Sequence, residues 1–331
     1  MKILGIESSC DETAAAIVEN GRIILSSVVA SQIEIHAKYG GVVPELASRK
    51  HIESIVAVVD ESIKNAGITF EEIDAVAATQ GPGLVGALLT GFSFAKAFAW
   101  ARKLPFIGVD HLEGHMLSVF LNEKGPEFPY VALLASGGHT SLYLVKSYTD
   151  FEPLGHTRDD AAGEAYDKVS KMLGLGYPGG AVIDNLAASG DHRKIKFPKP
   201  FLDKESFDFS FSGLKSAAAR YIQENKETYK CQLEDIAASF QESVTEVLTY
   251  KLIRAAVENG CSHIAITGGV AANRGLRQKA TREAEKNGLT IHIPDISLCG
   301  DNAAMIASSG YYRLLKNITC PLDTDVYSRK P

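Results

Sequence analysis

The chain has 331 residues, long for one domain and comfortable for two lobes with a cleft between them. With 45% hydrophobic and 22% charged residues it carries ample core material and reads as ordinary globular protein, not a disordered or low-complexity one. A net charge of −6 excludes a protein that holds nucleic acid by its overall field, while leaving room for a local basic surface or a partner's help.

The opening, MKILGIESSCDET, turns polar after its first apolar strand and is no signal peptide. Cys10, Cys231, Cys261, Cys299 and Cys320 are scattered and form no C-x-x-C, so neither a disulfide framework nor a zinc ribbon is expected. A cytoplasmic protein follows. "KILGIES", "AAAIVE" and "RIILSSVVA" read as three strands, the last two joined by the tight turn Asn20-Gly21. "PELASRKHIESIVAVVDESIKNAG" has helical spacing and a Gly stop. Next come the buried strand "AVAAT", a "QGPG" turn and the helix "LVGALLTGFSFAKAFAW". That helix is short for a membrane span and carries Lys96. The strand "PFIGVD" then leads into "HLEGH".

From Tyr130 the pattern recurs. "YVALLA" and "SLYLV" are strands around the turn "SGGHT", which suggests a duplicated α/β unit with mixed sheets. A long polar segment from His156 to about Ser216 interrupts this second unit. After it come the helix "LEDIAASFQESVTEVLTYKLIRAAVENG", the strand "HIAIT", the loop "GGVAANRG" with a further helix, the strand "LTIHIP" and the closing helix "DNAAMIASSGYYRLL".

His111 and His115 stand one helical turn apart on one face, at roughly 40° by the 100° step, where two imidazoles can grip one metal ion. Glu113 falls roughly 160–200° from both and points away. A peptidase H-E-x-x-H places its glutamate nearer the metal-bound water, so the one-place shift removes the general base. A third ligand must come from elsewhere; Asp301 in "LCGDNAAMIA" is a candidate, set against the plainer reading of an N-cap. Such an N/O ligand set fits iron or zinc better than magnesium. The glycine pairs in "ASGGHT", "YPGGAVID" and "TGGVAANRG" can bring backbone N–H groups to a phosphate, with Asp184 available to a ribose hydroxyl. Neither a P-loop nor a strand-borne G-x-G-x-x-G is present. In "HTRDDAAGEAYDKVSKMLG", Asp160, Glu164, Asp167 and Lys171 can share a helix face, either as solvated ion pairs or with a carboxylate on ligand hydroxyls. Cys10, beside Glu7, Asp11 and Glu12, reads as a packed small residue because no base partner is identifiable. Arg193, Lys194, Lys196 and Lys199 form the densest basic patch, a solvated loop or a phosphate-backbone contact.

Together "GIESSCDETAAAIV", "HAKYGGVVPELASRKH", "TQGPGLVGALLTG", "HLEGH", "LLASGGHT", "DDAAGEAYDK", "GYPGG", "ITGGVAANRGLR" and "CGDNAAMIA" resemble, in order and end to end, the universal tRNA threonylcarbamoyladenosine transferase family. The likeness is to its bacterial TsaD form, once labelled an O-sialoglycoprotein endopeptidase. The resemblance implies an actin/Hsp70/sugar-kinase-like α/β fold of two duplicated lobes with mixed sheets flanked by helices. It divides the chain into an N-terminal lobe over 1–110, joined by a C-terminal helix over about 305–331, and a C-terminal lobe over 111–304 with an insertion over about 156–216. It implies that His111, His115 and Asp301 hold one Fe²⁺ per subunit, with Zn²⁺ possible in a purified sample. Leu134, Ala135, Ser136, Gly137, Gly138, Asp167, Gly180, Asp184 and Asn273 would surround the substrate. No catalytic residue is assigned; Glu12 and His139 are candidates only. Archaeal and eukaryotic relatives carry a tyrosine ligand in the strand before Ser-Gly-Gly, absent from "VALLASGG".

The implied reaction transfers the threonylcarbamoyl group from threonylcarbamoyl-adenylate to N6 of the adenosine 3′ of the anticodon (position 37), in tRNAs reading codons that begin with adenine, releasing AMP. Implied partners are tRNA, a non-catalytic paralogue of similar fold (TsaB-type) and a small ATPase (TsaE-type), with no membrane. The paralogue is expected on helices near "PELASRKHIESIVAVVDESI". Two readings of other classes stand beside this one: a metallopeptidase, which lacks its base, and a nucleotide-dependent switch for which the metal is dispensable.

Overall fold

A computed structural model of the protein describes residues 1–121, 124–201 and 205–329. The chain forms two compact units, Met1–Gly125 with Gly300–Pro331, and Pro126–Cys299. In the first, β1 (Lys2–Glu7), β2 (Glu12–Glu19) and β3 (Ile23–Ser31) form an antiparallel meander. The turn between β2 and β3 is the expected Asn20-Gly21, both residues at positive φ (53° and 72°). The short α1 (Ile33–Ala37) and long α2 (Pro44–Asn65) follow, then β4 (Ala75–Gly81), α3 (Val85–Arg102), β5 (Phe106–Asp110) and α4 (His111–Leu117).

The second unit repeats the plan. β6 (Tyr130–Ala135), β7 (Thr140–Ser147) and β8 (Asp150–His156) form the meander. Then come α5 (Ala162–Leu173), α6 (Gly179–Ala187), α7 (Ser212–Glu224), α8 (Leu233–Glu258), β9 (His263–Thr267), α9 (Arg274–Lys286), β10 (Thr290–His292) and α10 (Ile296–Cys299). The chain returns to the first unit with α11 (Ala303–Leu315). Strand order is β3-β2-β1-β4-β5 in one sheet and β8-β7-β6-β9-β10 in the other, with β1–β4, β4–β5, β6–β9 and β9–β10 parallel. The two orders are the same, so the duplication read from the strand–turn–strand repeat is structural.

Alternation along β1 explains its unbroken apolar run. Leu4 and Ile6 join the core built with Ile55, Val59 and Phe92 of α2 and α3, whereas Ile3 and Gly5 face α11. A Cβ on Gly5 would lie 2.2 Å from Ala303 O, and one on Gly310 would lie 2.4 Å from Ala77 Cβ. Small residues on both sides therefore set how closely α11 approaches the sheet.

Two expectations shift. The division expected after residue 110 falls after Gly125, and the return is at Gly300, so His111, His115 and Asp301 all belong to the first unit. The cause is packing: Gly114 sits under Ile306 of α11, and Arg313 of α11 donates to Glu113 at 3.0 Å. The segment 156–216 is no appendage. Tyr166, Val169 and Leu173 on one stripe of α5, with Phe209 and Phe211, lie in the second core beside Phe240 and Val244 of α8. Strand β8 carries Pro153 and Gly155, which it tolerates as an edge strand with a register shift.

Gly310→Ala is expected to destabilise the protein by about 1–3 kcal/mol through overpacking against Ala77. Denaturant unfolding measures this; an unchanged midpoint would show that α11 can move outward freely.

Candidate metal centre and ligand loops

The metal candidates lie at the C-terminal edge of the first sheet. Asp110, the last residue of β5, caps α4: its carboxylate accepts from the N–H groups of Leu112 (2.9 Å) and Glu113 (3.3 Å) and from the Tyr327 hydroxyl (2.9 Å). This cap fixes the first turn, so His111 and His115 emerge on one face with ring centroids 4.7 Å apart. Asp301 meets both. Its Oδ1 lies 3.0 Å from His115 Nε2 and 3.5 Å from His111 Nε2, and ligand atoms of all three residues lie within 4.8 Å of one another. Ligand bonds of about 2.0–2.2 Å place neighbouring donors about 3–3.5 Å apart, which the distances from Asp301 to both histidines match. The plain N-cap role belongs to Asn302, whose side chain accepts from Met305 N–H, leaving the Asp301 carboxylate free for the histidines.

Behind the cluster stands Glu7, the fully buried last residue of β1. Its Oε2 lies 3.0 Å from His111 Nδ1 and accepts from the Thr79 hydroxyl at 2.6 Å, and Oε1 accepts from Ser9 N–H. Sequence reading missed this role because Glu7 and His111 lie far apart in the chain. Burial opposes charge on His111, but the carboxylates of Glu7 and Asp301 outweigh it and hold the imidazole pKa well above its usual value. Burial likewise opposes charge on Asp301 and Glu7, and the histidines outweigh it, holding both carboxyls below the usual range. His115 Nδ1 is buried without a partner, and Nε2 is the nitrogen that meets Asp301. Glu113 turns to Arg313, away from the cluster, and supplies no base for peptide hydrolysis.

Of the remaining acidic residues near the site, Glu12 is pushed up to about 9 by burial and by the charges of Asp301 and Asp11. Burial, with Asp11 next, pushes the Cys10 thiol up, away from a nucleophilic thiolate.

The second unit holds the candidate ligand loops at the C-terminal ends of β6 and β9. Leu134 and Ala135 are buried strand residues, and Ser136–His139 forms the turn, with Ser136 N–H donating to His139 O at 2.8 Å. A Cβ on Gly137, Gly138, Gly180 or Gly269 would meet nothing within 4 Å, so these backbones border open space. Their neighbours are tight. A Cβ on Gly268 (φ +86°) would strike Ala135 O at 2.5 Å, and one on Gly179 would strike Tyr166 O at 2.7 Å. Asp167 accepts from Gly179 N–H at 2.7 Å and so anchors the start of α6.

Asp184 is less available than expected. Its carboxylate already accepts from Gln241 (3.1 Å) and Arg274 Nε (2.8 Å) and sits at the N-terminus of α9 beside Gly275 N–H. Asn273 caps that helix, accepting from Leu276 N–H, while its amide donates to Gln241. The bland reading holds for Asp159 and Asp160: the first accepts from Ser210 and Ser212, the second pairs with Lys168 and Lys215, and both pin the start of α7. In the basic patch Arg193, Lys194 and Lys199 pair with Asp191, Asp235 and Glu246, which weakens it as a phosphate surface.

A profile of the TsaD family, tRNA N6-adenosine threonylcarbamoyltransferase, matches residues 23–308. A protein of that name from Desulforapulum autotrophicum is 60% identical over 329 residues, 99% of each chain. Another from Geotalea uraniireducens is 55% identical over 326 residues, 98% of this chain and 95% of its own. Among solved structures, full-length HypF in its phosphate- and nucleotide-bound form matches with a TM-score of 0.61 at 14% identity, over 99% of this chain and 47% of that one. That likeness concerns fold alone, and with the repeated strand order it gives the expected actin/Hsp70/sugar-kinase-like architecture. Among the described residues no helix is long and apolar enough to cross a membrane.

Because two carboxylates hold a proton on His111, a cation entering the cluster must displace it. Zn²⁺ affinity is expected to weaken as pH falls from about 8 to about 6, by at most about tenfold per unit for one displaced proton. Chelator competition across pH measures this; a pH-independent affinity would show that His111 enters the reaction already neutral.

Proposed function

The chain belongs to the tRNA N6-adenosine threonylcarbamoyltransferase family, whose members are acyltransferases acting on tRNA, and from that premise we propose its substrates, metal and partners. The donor is threonylcarbamoyl-adenylate and the acceptor is N6 of the adenosine 3′ of the anticodon, in tRNAs that read codons beginning with adenine. A bond forms between N6 and the carbamoyl carbon, the carbon–oxygen bond of the mixed anhydride breaks, AMP leaves and N6 gives up one proton. The observation that carries this reading is the convergence of His111, His115 and Asp301 on one point in a chain that matches the family along nearly its whole length.

His111, His115 and Asp301 are assigned to one Fe²⁺, with Zn²⁺ as an occupant of purified samples. Two neutral imidazoles and one carboxylate suit either ion. A cation held there supplies Lewis acidity toward the carbonyl under attack. The other tasks fall to the chain's own groups. The bare backbones at Gly137, Gly138 and Gly180 allow close approach of the adenylate, and donors along such turns favour a phosphate. Asp167, Asp184 and Asn273 are assigned to the nucleoside. Their hydrogen bonds to Gly179, Gln241 and Arg274 hold them in place before it arrives. Glu113, bound to Arg313, supports transfer over proteolysis.

A net-acidic chain acting on RNA calls for help, and the paired state of the 193–199 patch agrees. A TsaB-type paralogue and a TsaE-type ATPase are the proposed partners. Ile52 and Val56 of α2 and Val85 and Leu89 of α3 expose their aliphatic side chains, Ile52 to 66%, and form the proposed docking face for the paralogue.

Purified protein given threonylcarbamoyl-adenylate and an unmodified tRNA of this class, with the partners, is expected to yield the modified nucleoside and AMP, and His115→Ala to lose at least about a hundredfold in rate. Full activity in the substituted protein after metal removal would show that the transfer does not need the metal. Replacing Ile52 and Val56 together by Glu is expected to abolish co-purification with the paralogue while leaving thermal unfolding unchanged; retained binding would move the interface elsewhere.

A further inference from the structure

We infer that Glu7 is a positioning residue for the metal centre: it fixes the imidazole of His111 with the proton on Nδ1 and the Nε2 lone pair aimed at the ion. The inference rests on the metal reading of His111, His115 and Asp301 and adds to it a residue that touches no ion. Three observations carry it. Glu7 is fully buried at the end of β1, where a carboxylate without partners would be costly. Both its oxygens are committed, Oε1 to Ser9 N–H, and Oε2 to the Thr79 hydroxyl at 2.6 Å and to His111 Nδ1 at 3.0 Å. And Nε2 of the same ring lies on the Asp301 side, 3.5 Å from Oδ1, so the two ring nitrogens face two different carboxylates.

The hydrogen-bond inventory then leaves one arrangement. An ionised carboxylate can only accept, so the hydrogen on the Glu7 side belongs to Nδ1. Ser9 Oγ, 3.2 Å from the same nitrogen, can accept as well and does not disturb this choice. A ligating histidine whose other nitrogen donates to a carboxylate is held in tautomer and in ring orientation, and its basicity toward the metal rises. Glu7 is itself held from β4 through Thr79, so the orientation of His111 is set by the sheet rather than by the short helix that carries it.

Glu7→Gln separates this role from mere filling of space. The amide has the same shape but one acceptor and one donor. With its NH₂ toward His111 it donates to Nδ1, moves the ring proton to Nε2 and blocks ligation; with its NH₂ toward Ser9 it opposes an N–H donor. Zn²⁺ affinity of the full chain, by chelator competition, is expected to fall about 10–100-fold in Glu7→Gln. His115→Ala serves as the ligand control, and thermal unfolding without metal as the fold control. Unchanged Zn²⁺ affinity in a folded Glu7→Gln protein overturns the inference. Equal affinity in wild type and His115→Ala sinks the metal reading beneath it, a separable result. Should Glu7→Gln not fold, ¹⁵N-imidazole spectra of the wild type with Zn²⁺ decide: His111 with Nδ1–H and Nε2 bound supports the inference, and Nδ1 bound overturns it.

Discussion

Two carboxylates and two imidazoles share a pocket in the first unit that is almost closed to water, and the rest of the site follows from what keeps that charge buried. Glu7 and His115 are at most 1% exposed, while the Asp301 side chain keeps 21%, which leaves the cluster one face toward solvent. Isolated, each charge would be expensive there. Paired, the carboxylates stay ionised and hold a proton on His111. A divalent cation replaces that proton and balances two negative charges with two positive ones, so the pocket is matched in charge as well as in distance to a doubly charged ion.

The sheet places these groups without needing long loops. Glu7, Thr79 and Asp110 lie at the C-terminal ends of the parallel strands β1, β4 and β5, and α4 begins directly after β5 with its two histidines on one face of the turn that Asp110 caps. Functional groups gather at such strand ends in open α/β sheets. The second unit repeats the topology and uses the corresponding ends, after β6 and β9, for glycine turns whose backbones border open space. One plan, copied, thus gathers candidate side-chain ligands in one unit and open glycine backbones in the other.

Much of this was legible in the chain. The strand–turn–strand repeat gave the duplication, the four-residue histidine spacing gave a shared face, and the displaced Glu113 argued against a peptidase before its pairing with Arg313 was seen. Asp301 was legible as either the third ligand or a helix cap, and only coordinates separate the two, because the cap is Asn302. Glu7 was read as one acid among three in a turn; its partner His111 comes from a distant strand end, and contacts of that kind leave no local pattern. The segment 156–216 read as polar because its charges come in dense runs, yet apolar residues fall on one stripe of α5 and in the Phe209–Phe211 pair within the second core. The basic patch misled in the opposite direction: its acids lie nearby in space and only partly in sequence.

The central claim is that one ion is held by two imidazoles and one carboxylate of the first unit. X-ray absorption at the metal edge of the purified protein tests it most directly. The account predicts nitrogen and oxygen neighbours at about 2.0–2.2 Å, with the outer-shell scattering of two imidazole rings that disappears in His111→Ala with His115→Ala. Sulfur neighbours at about 2.3 Å, or a spectrum without imidazole scattering, would contradict it.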